Sequence, residues 1–136
     1  MIKIFLDTNI VADWLFGREG EGLAEELLSF GNMPLNAVYT SVLSMSNLAY
    51  LSRKGHDSSY VLAQMNKVSA FCNILNDCDF YSALKIGSPD FEDSLQIACA
   101  ESKACDVIIT HNIKHFRGYT CIPVYTPEEF LSKCEG

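Results

Sequence analysis

Basic residues are scarce in this 136-residue chain, with ten Lys and Arg against seventeen Asp and Glu, a formal net charge of −7 and a pI near 4.8. That deficit argues against a broad cationic surface of the kind that holds nucleic acid by counterion release. It does not exclude an enzyme acting on nucleic acid, because carboxylates that bind divalent cations are acidic as sequence and less negative once loaded. Long apolar runs are missing too. Nothing approaches the ~20 residues a membrane span requires, so no membrane partner is expected. Met1 to Leu6 is apolar but meets Asp7 almost at once, too short for a signal-peptide core, and no small-residue cleavage site follows. The expectation is a cytoplasmic protein. Cys72, Cys78, Cys99, Cys105, Cys121 and Cys134 contain no C-x-x-C pair. In a chain neither tiny nor targeted for export they read as reduced thiols serving as small hydrophobes. No repeat, low-complexity tract or linker interrupts the sequence, so residues 1–136 are expected to form one domain. With 49% hydrophobic residues it needs no disulfide or zinc staple.

What is present alternates between strand and helix patterns. Ile2–Leu6 reads as a short buried strand, stopped by Asp7-Thr8-Asn9, residues that favour caps and turns. Ile10, Val11, Trp14 and Leu15 then recur at helical spacing. A second helix carries Leu23, Leu27 and Leu28 and stops at Gly31-Asn32. Leu35–Thr40 is the second strand, and Ser41 is placed to cap a helix carrying Leu43, Asn47 and Leu48. A fourth helix starts at Asp57 or Ser58. Ile74-Leu75 is a candidate brief strand before a helix over Phe80–Ile86. Ser88-Pro89 reads as the start of the next helix, with serine as cap and proline in the first turn. Asp106–Thr110 is a β-branched strand ending in Thr110-His111-Asn112, and Ile122–Tyr125 is the last strand. Thr126-Pro127-Glu128-Glu129 opens the final helix.

This alternation implies an α/β fold with a parallel, helix-covered sheet, in which ligands gather at the carboxyl ends of strands. Ile2–Leu6 and Asp106–Thr110 are expected to be neighbouring parallel strands, which brings Asp7 and Asn9 near Thr110 and Asn112.

Three ordered segments now carry a resemblance. Phe5-Leu-Asp-Thr-Asn9, Asp90-Phe-Glu-Asp-Ser-Leu-Gln96 with Ala98 and Ala100, and Ile108-Ile-Thr-His-Asn112 with Phe116 resemble the active-site motifs of the PIN-domain family. The resemblance implies a three-layer α/β/α fold and an endoribonuclease that cleaves single-stranded RNA with Mg²⁺ or Mn²⁺. Many bacterial members are toxins of the VapC type, which implies an antitoxin protein as candidate partner, with a homodimer as a further candidate assembly. Carried over residue by residue, Asp7 matches the first metal ligand, Thr8 and Asn9 the polar residues beside it, and Asp93 the acid of the central helix. Asn47 stands where many members have glutamate, and Asn112 where many have a further aspartate. Those departures keep a second reading in play, a PIN-like RNA-binding or regulatory module with weak or lost catalysis. Restoring acids at both positions is expected to tighten cation binding.

The chemistry explains the preference for acids. Phosphodiester hydrolysis needs an activated water and relief of charge on the phosphate, and two divalent ions roughly 3.5–4 Å apart supply both. Mg²⁺ often uses one or two carboxylates, so Asp7 and Asp93 suffice as a minimal site. Asp90, three residues before Asp93, shares its helical face and can enlarge the metal site. Glu92 is rotated about 100° from Asp93 and is expected in the cluster only if the helix start is irregular. Each acid also has a structural reading, Asp7 as a helix cap and the others as first-turn acids favoured by the macrodipole. Asn47 can be a satisfied core amide, and Thr110 can steady the site or merely end a strand. His111 and His115, four apart, lack further zinc ligands, and solvent or substrate contact is the preferred reading. Arg53, Lys54, Lys114 and Arg117 are the close basic pairs and the candidates for holding RNA phosphates. A flavodoxin-like phosphate binder is disfavoured because no strand leads into a Gly-rich loop.

Overall fold

The computed structural model describes residues 1–135. Five strands, β1 (Lys3–Leu6), β2 (Ala37–Ser41), β3 (Asn73–Leu75), β4 (Val107–Ile109) and β5 (Val124–Tyr125), form one parallel sheet in the order β3-β2-β1-β4-β5. The helices are α1 (Thr8–Leu15), α2 (Glu21–Ser29), α3 (Val42–Ser52), α4 (Ser58–Phe71), α5 (Phe80–Ile86), α6 (Phe91–Ser102), α7 (Ile113–Phe116) and α8 (Pro127–Glu135). β1 lies beside β4 as the sequence predicts, with Ile4, Phe5 and Leu6 opposite Val107, Ile108 and Ile109. The architecture is the expected α/β/α sandwich.

Strand periodicity builds the two cores. Successive side chains point to opposite faces, so Ile4, Leu6, Val38, Val107 and Ile109 pack with Trp14, Leu27, Leu28 and Phe130. Phe5, Tyr39, Ile108 and Val124 meet Ile97, Cys99, Ala100 and Phe116 on the other side. A sheet buried on both faces explains why the strands read as nearly continuous apolar runs.

Strand order decides where the site lies. From β1 the chain steps to β2 and β3 on one side, then returns to β4 on the other. Such a reversal opens a crevice at the carboxyl ends of the strands concerned. Asp7 follows β1 directly, and its amide donates to the Ile109 carbonyl at 3.0 Å, so the ladder runs to the edge of that crevice.

Local chemistry sets the helix starts. Asp7, in extended backbone (φ −67°, ψ 159°), caps α1 by accepting from the Thr8 amide. Ser41 caps α3 through the Ser44 amide. Thr126 and Glu129 exchange side-chain-to-backbone hydrogen bonds at 2.9 and 3.2 Å, a capping box that opens α8.

Three sequence expectations are corrected. Leu35 lies outside β2, in a loop, with φ of 74° and 76% exposure. α6 starts at Phe91 with Asp90 as its cap, not at Ser88-Pro89, because the Ser88 hydroxyl donates instead to the His115 carbonyl at 2.7 Å and anchors α7. Cys72, Cys99 and Cys105 are buried thiols, but Cys121 and Cys134 are exposed and take no part in a core. Among the described residues no helix is long and apolar enough to cross a membrane.

Ile108 is wholly buried at the centre of the α6-side core. Ile108→Ala should therefore lower the unfolding free energy by about 2–5 kcal/mol, read by urea denaturation. A loss under about 1 kcal/mol would show that the sheet tolerates a void there.

Candidate active site

At the carboxyl ends of β1 and β4 opens a cleft of about 390 Å³, walled by Asp7, Thr8, Asn9, Asn47, Asp90, Glu92, Asp93, Gln96 and Asn112, with Ala12, Arg18, Tyr50 and Leu51 beside them. It gathers every acidic and amide position proposed from sequence. Thr110 stands behind it, bonded to Asp7.

Asp7 is held on both carboxylate oxygens. Oδ2 accepts from the Thr110 hydroxyl at 2.7 Å; Oδ1 accepts from the Thr8 amide at 2.8 Å and from Gln96 Nε2 at 3.3 Å. Burial raises its pKa above the ordinary value against the pull of the hydrogen bonds from Thr110, Thr8 and Gln96, and the charge of Glu92 raises it further. Asp93 is pushed up to about 6, first by burial and then by the charge of Asp7, with the His115 hydrogen bond opposing. That bond joins His115 Nδ1 to Asp93 Oδ2 at 2.9 Å. Asp90 serves as the α6 cap, its Oδ1 accepting from the Asp93 amide at 3.2 Å. It is therefore not one turn before Asp93 on a shared helical face, yet ligand atoms of Asp90, Asp93 and His115 all lie within 4.8 Å of one another.

Gln96 is the residue whose role sequence reasoning missed. Fully buried on α6, it donates through Nε2 to Thr8 Oγ1 at 3.0 Å and Ser44 Oγ at 2.7 Å as well as to Asp7, and its Oε1 accepts from the Ser41 hydroxyl. One amide thus ties α6 to the starts of α1 and α3. The available signal was a glutamine between Leu95 and Ile97, three residues after Asp93.

Glu92 also corrects the sequence reading. It lines the cleft from a regular helix, with Asn47 Nδ2 donating to its Oε1. Helical geometry permits this. Taking Glu92 as zero, Gln96 lies at about 40° and Asp93 at about 100°, so all three front one broad face. The histidines, expected at solvent or substrate, both pair with carboxylates, His111 Nε2 lying 2.7 Å from Asp13 Oδ2.

The basic residues divide. Arg53 stacks over the Tyr50 ring at 4.1 Å, and Tyr50 lines the cleft. Lys54 and Lys114 are exposed and outside its wall. Arg117 is committed elsewhere, donating from Nε and Nη2 to the Val124 carbonyl at 3.0 and 2.7 Å and from Nη2 to Glu129 at 2.9 Å. The cation that does line the cleft is Arg18, an isolated arginine that no motif marked. Among the described residues no Lys or Arg forms an ion pair with Asp7, Asp90, Glu92 or Asp93. Converging carboxylate oxygens without a Lys or Arg partner fit a hard divalent cation.

Residues 3–114 match the family model described as PIN domain. The chain belongs to the PIN-domain family. No curated protein matches it. The PIN fold is shared with VapBC-1 of nontypeable Haemophilus influenzae, at a TM-score of 0.74 and 19% identity over 93% of this chain and 99% of that one. A toxin–antitoxin complex from Klebsiella pneumoniae gives 0.67 and 24%, covering 91% and 97%. Mycobacterium tuberculosis VapC20, described as a sarcin-ricin loop cleaving toxin, gives 0.56 and 16%, covering 77% and 86%.

Two tests follow from this PIN site. Gln96→Leu strands hydrogen-bonding groups of Asp7, Ser41 and Ser44 and should cost about 1–3 kcal/mol of stability; an unchanged denaturation midpoint would contradict the network's structural role. Asp93 takes up its proton more readily folded than unfolded, so protonation favours the native state. Its contribution is complete below its ordinary pKa of 3.8 and is lost as pH rises through about 6. In chelator, Asp93→Asn should melt near wild type at about pH 4 and above it at about pH 8. Parallel melting curves across that range would refute the assignment.

Proposed function

We propose that this PIN domain is a metal-dependent endoribonuclease that cleaves phosphodiester bonds of single-stranded RNA, acting as the toxin of a toxin–antitoxin pair. The observation that carries the reading is the cleft at the carboxyl ends of β1 and β4 that gathers Asp7, Asp90 and Asp93, acids that pair with no Lys or Arg among the described residues. These three would hold Mg²⁺ or Mn²⁺. Such a cation, when bound, supplies charge relief at the phosphate and a more acidic water.

The chain's own residues do the positioning. Thr110 and the Thr8 amide fix the Asp7 carboxylate, and Gln96 sets its tilt. His115 orients Asp93. Asn9 and Asn112 offer neutral amide groups along the wall of the cleft. Arg53 stacked on Tyr50 makes a cationic, aromatic wall suited to an unpaired nucleotide, since bases stack on aromatic rings without regard to sequence. Lys54 and Lys114 extend that charge outward, while Arg117 is left to the fold.

The Klebsiella toxin–antitoxin complex supports an antitoxin protein as partner, and a homodimer is the further assembly in this reading. The sarcin-ricin loop cleavage described for VapC20 supports RNA as substrate. Residues 1–136 act as one domain in this reading, in the cytoplasm. Asn47 and Asn112 favour the second reading, an RNA-binding or regulatory module with lost catalysis.

One assay separates the two. Synthetic single-stranded RNAs incubated with Mn²⁺ or Mg²⁺ should be cut internally, and chelation should stop the cutting. Asp7→Asn should slow it at least about 100-fold, the scale of losing a key electrostatic group, with the fold retained by circular dichroism. RNA that is bound but never cut under either cation would favour the module.

A further inference from the structure

We propose that Glu92 is itself a cation-binding carboxylate of this centre and that Asn47 is its holder, so that α6 supplies the charge an acid on α3 would otherwise bring. The inference rests on the metal-dependent reading above and concerns which residues of this chain make the site.

Four observations converge. Glu92 fronts the cleft from the first turn of α6, on the same broad face as Asp93 and Gln96. Asp7 and Asp93 line the same cleft as Glu92, so all three carboxylates front one space. Asn47, across the cleft on α3, donates its amide to Glu92 Oε1. Oε2 of Glu92 accepts no hydrogen bond among the described residues, nor does any Lys or Arg pair with it. A neutral donor bound to one oxygen fixes the carboxylate while leaving its charge available, which is how ligand orientation is ordinarily set around metals.

The pairing also gives Asn47 a meaning. An acid at position 47 would face Glu92 across the gap now bridged by a hydrogen bond, and two carboxylates there would repel. An amide at 47 and a carboxylate at 92 are complementary. Asn47 is therefore a positioning residue, and its presence is not the loss of a ligand. The expectation that an acid at 47 strengthens the site holds only if Glu92 is neutralised with it.

Titration calorimetry with Mn²⁺ alone, without RNA, tests this directly. Glu92→Gln should weaken binding on the order of tenfold or more, and Asn47→Ala, which keeps the charge but frees the side chain, by about tenfold. The exchanged pair Asn47→Glu with Glu92→Asn should recover affinity to within about threefold of wild type, because charge and hydrogen bond are both kept. Circular dichroism melts confirm that each variant folds. Wild-type affinity in Glu92→Gln alongside lost binding in Asp93→Asn would overturn the role of Glu92 and leave the metal reading standing. No Mn²⁺ binding by wild type, or undiminished binding in Asp93→Asn, would overturn both. Failure of the exchanged pair to recover would overturn the holder role of Asn47.

Discussion

A carboxylate buried at the end of the central strand constrains much of the rest of this structure. Asp7 is 4% exposed, and an ionised group so placed is tolerated only if its oxygens find donors. The fold answers from three directions. β4 is laid beside β1 so that Thr110 reaches one oxygen, the first turn of α1 presents the Thr8 amide to the other, and α6 brings in Gln96. Gln96 in turn requires Ser41 and Ser44 from the start of α3. Sheet order, helix caps and the buried polar network are linked through one side chain.

The acids on α6 show why structural and functional readings need not compete. Acidic side chains are stabilised at a helix N-terminus by the macrodipole and by capping, and Asp90 does cap α6. The same helix end points its first turn into the cleft, so residues that favour the helix also concentrate negative charge there. Burial first, and repulsion between carboxylates after it, keep the Asp7 and Asp93 carboxyls raised. A helix end can soften such a cluster without neutralising it.

What the sequence disclosed depended on sequence separation. Apolar runs broken by Asp7-Thr8-Asn9 and by Thr110-His111-Asn112 fixed two strand ends, and sheet topology then made them neighbours. Asp7 and Asp93 could be singled out because each sits in a local motif. Hydrogen bonds formed far along the chain left no such trace. Gln96 meets Ser41 across 55 residues, and Asn47 meets Glu92 across 45. Arg117 looked like a free cation until β5 placed the Val124 carbonyl beside it. The start of α6 moved because Ser88 found a better use for its hydroxyl on α7. Local pattern located the elements; their register chose the partners.

The cleft therefore stores an electrostatic penalty that the protein alone does not remove. Protons relieve it at low pH, as the raised Asp93 carboxyl implies. A bound divalent cation would relieve the same penalty at neutral pH, competing with those protons for the same oxygens. Acidity and cation affinity are then two readouts of one charge excess. Neutral amides at positions 47 and 112 moderate that excess, and the hydrogen bond from Asn47 fixes Glu92 without adding to it. In a site built this way the hydrogen bonds bound the repulsion, and what is left is the repulsion a bound cation would relieve. The amides set the balance between the two.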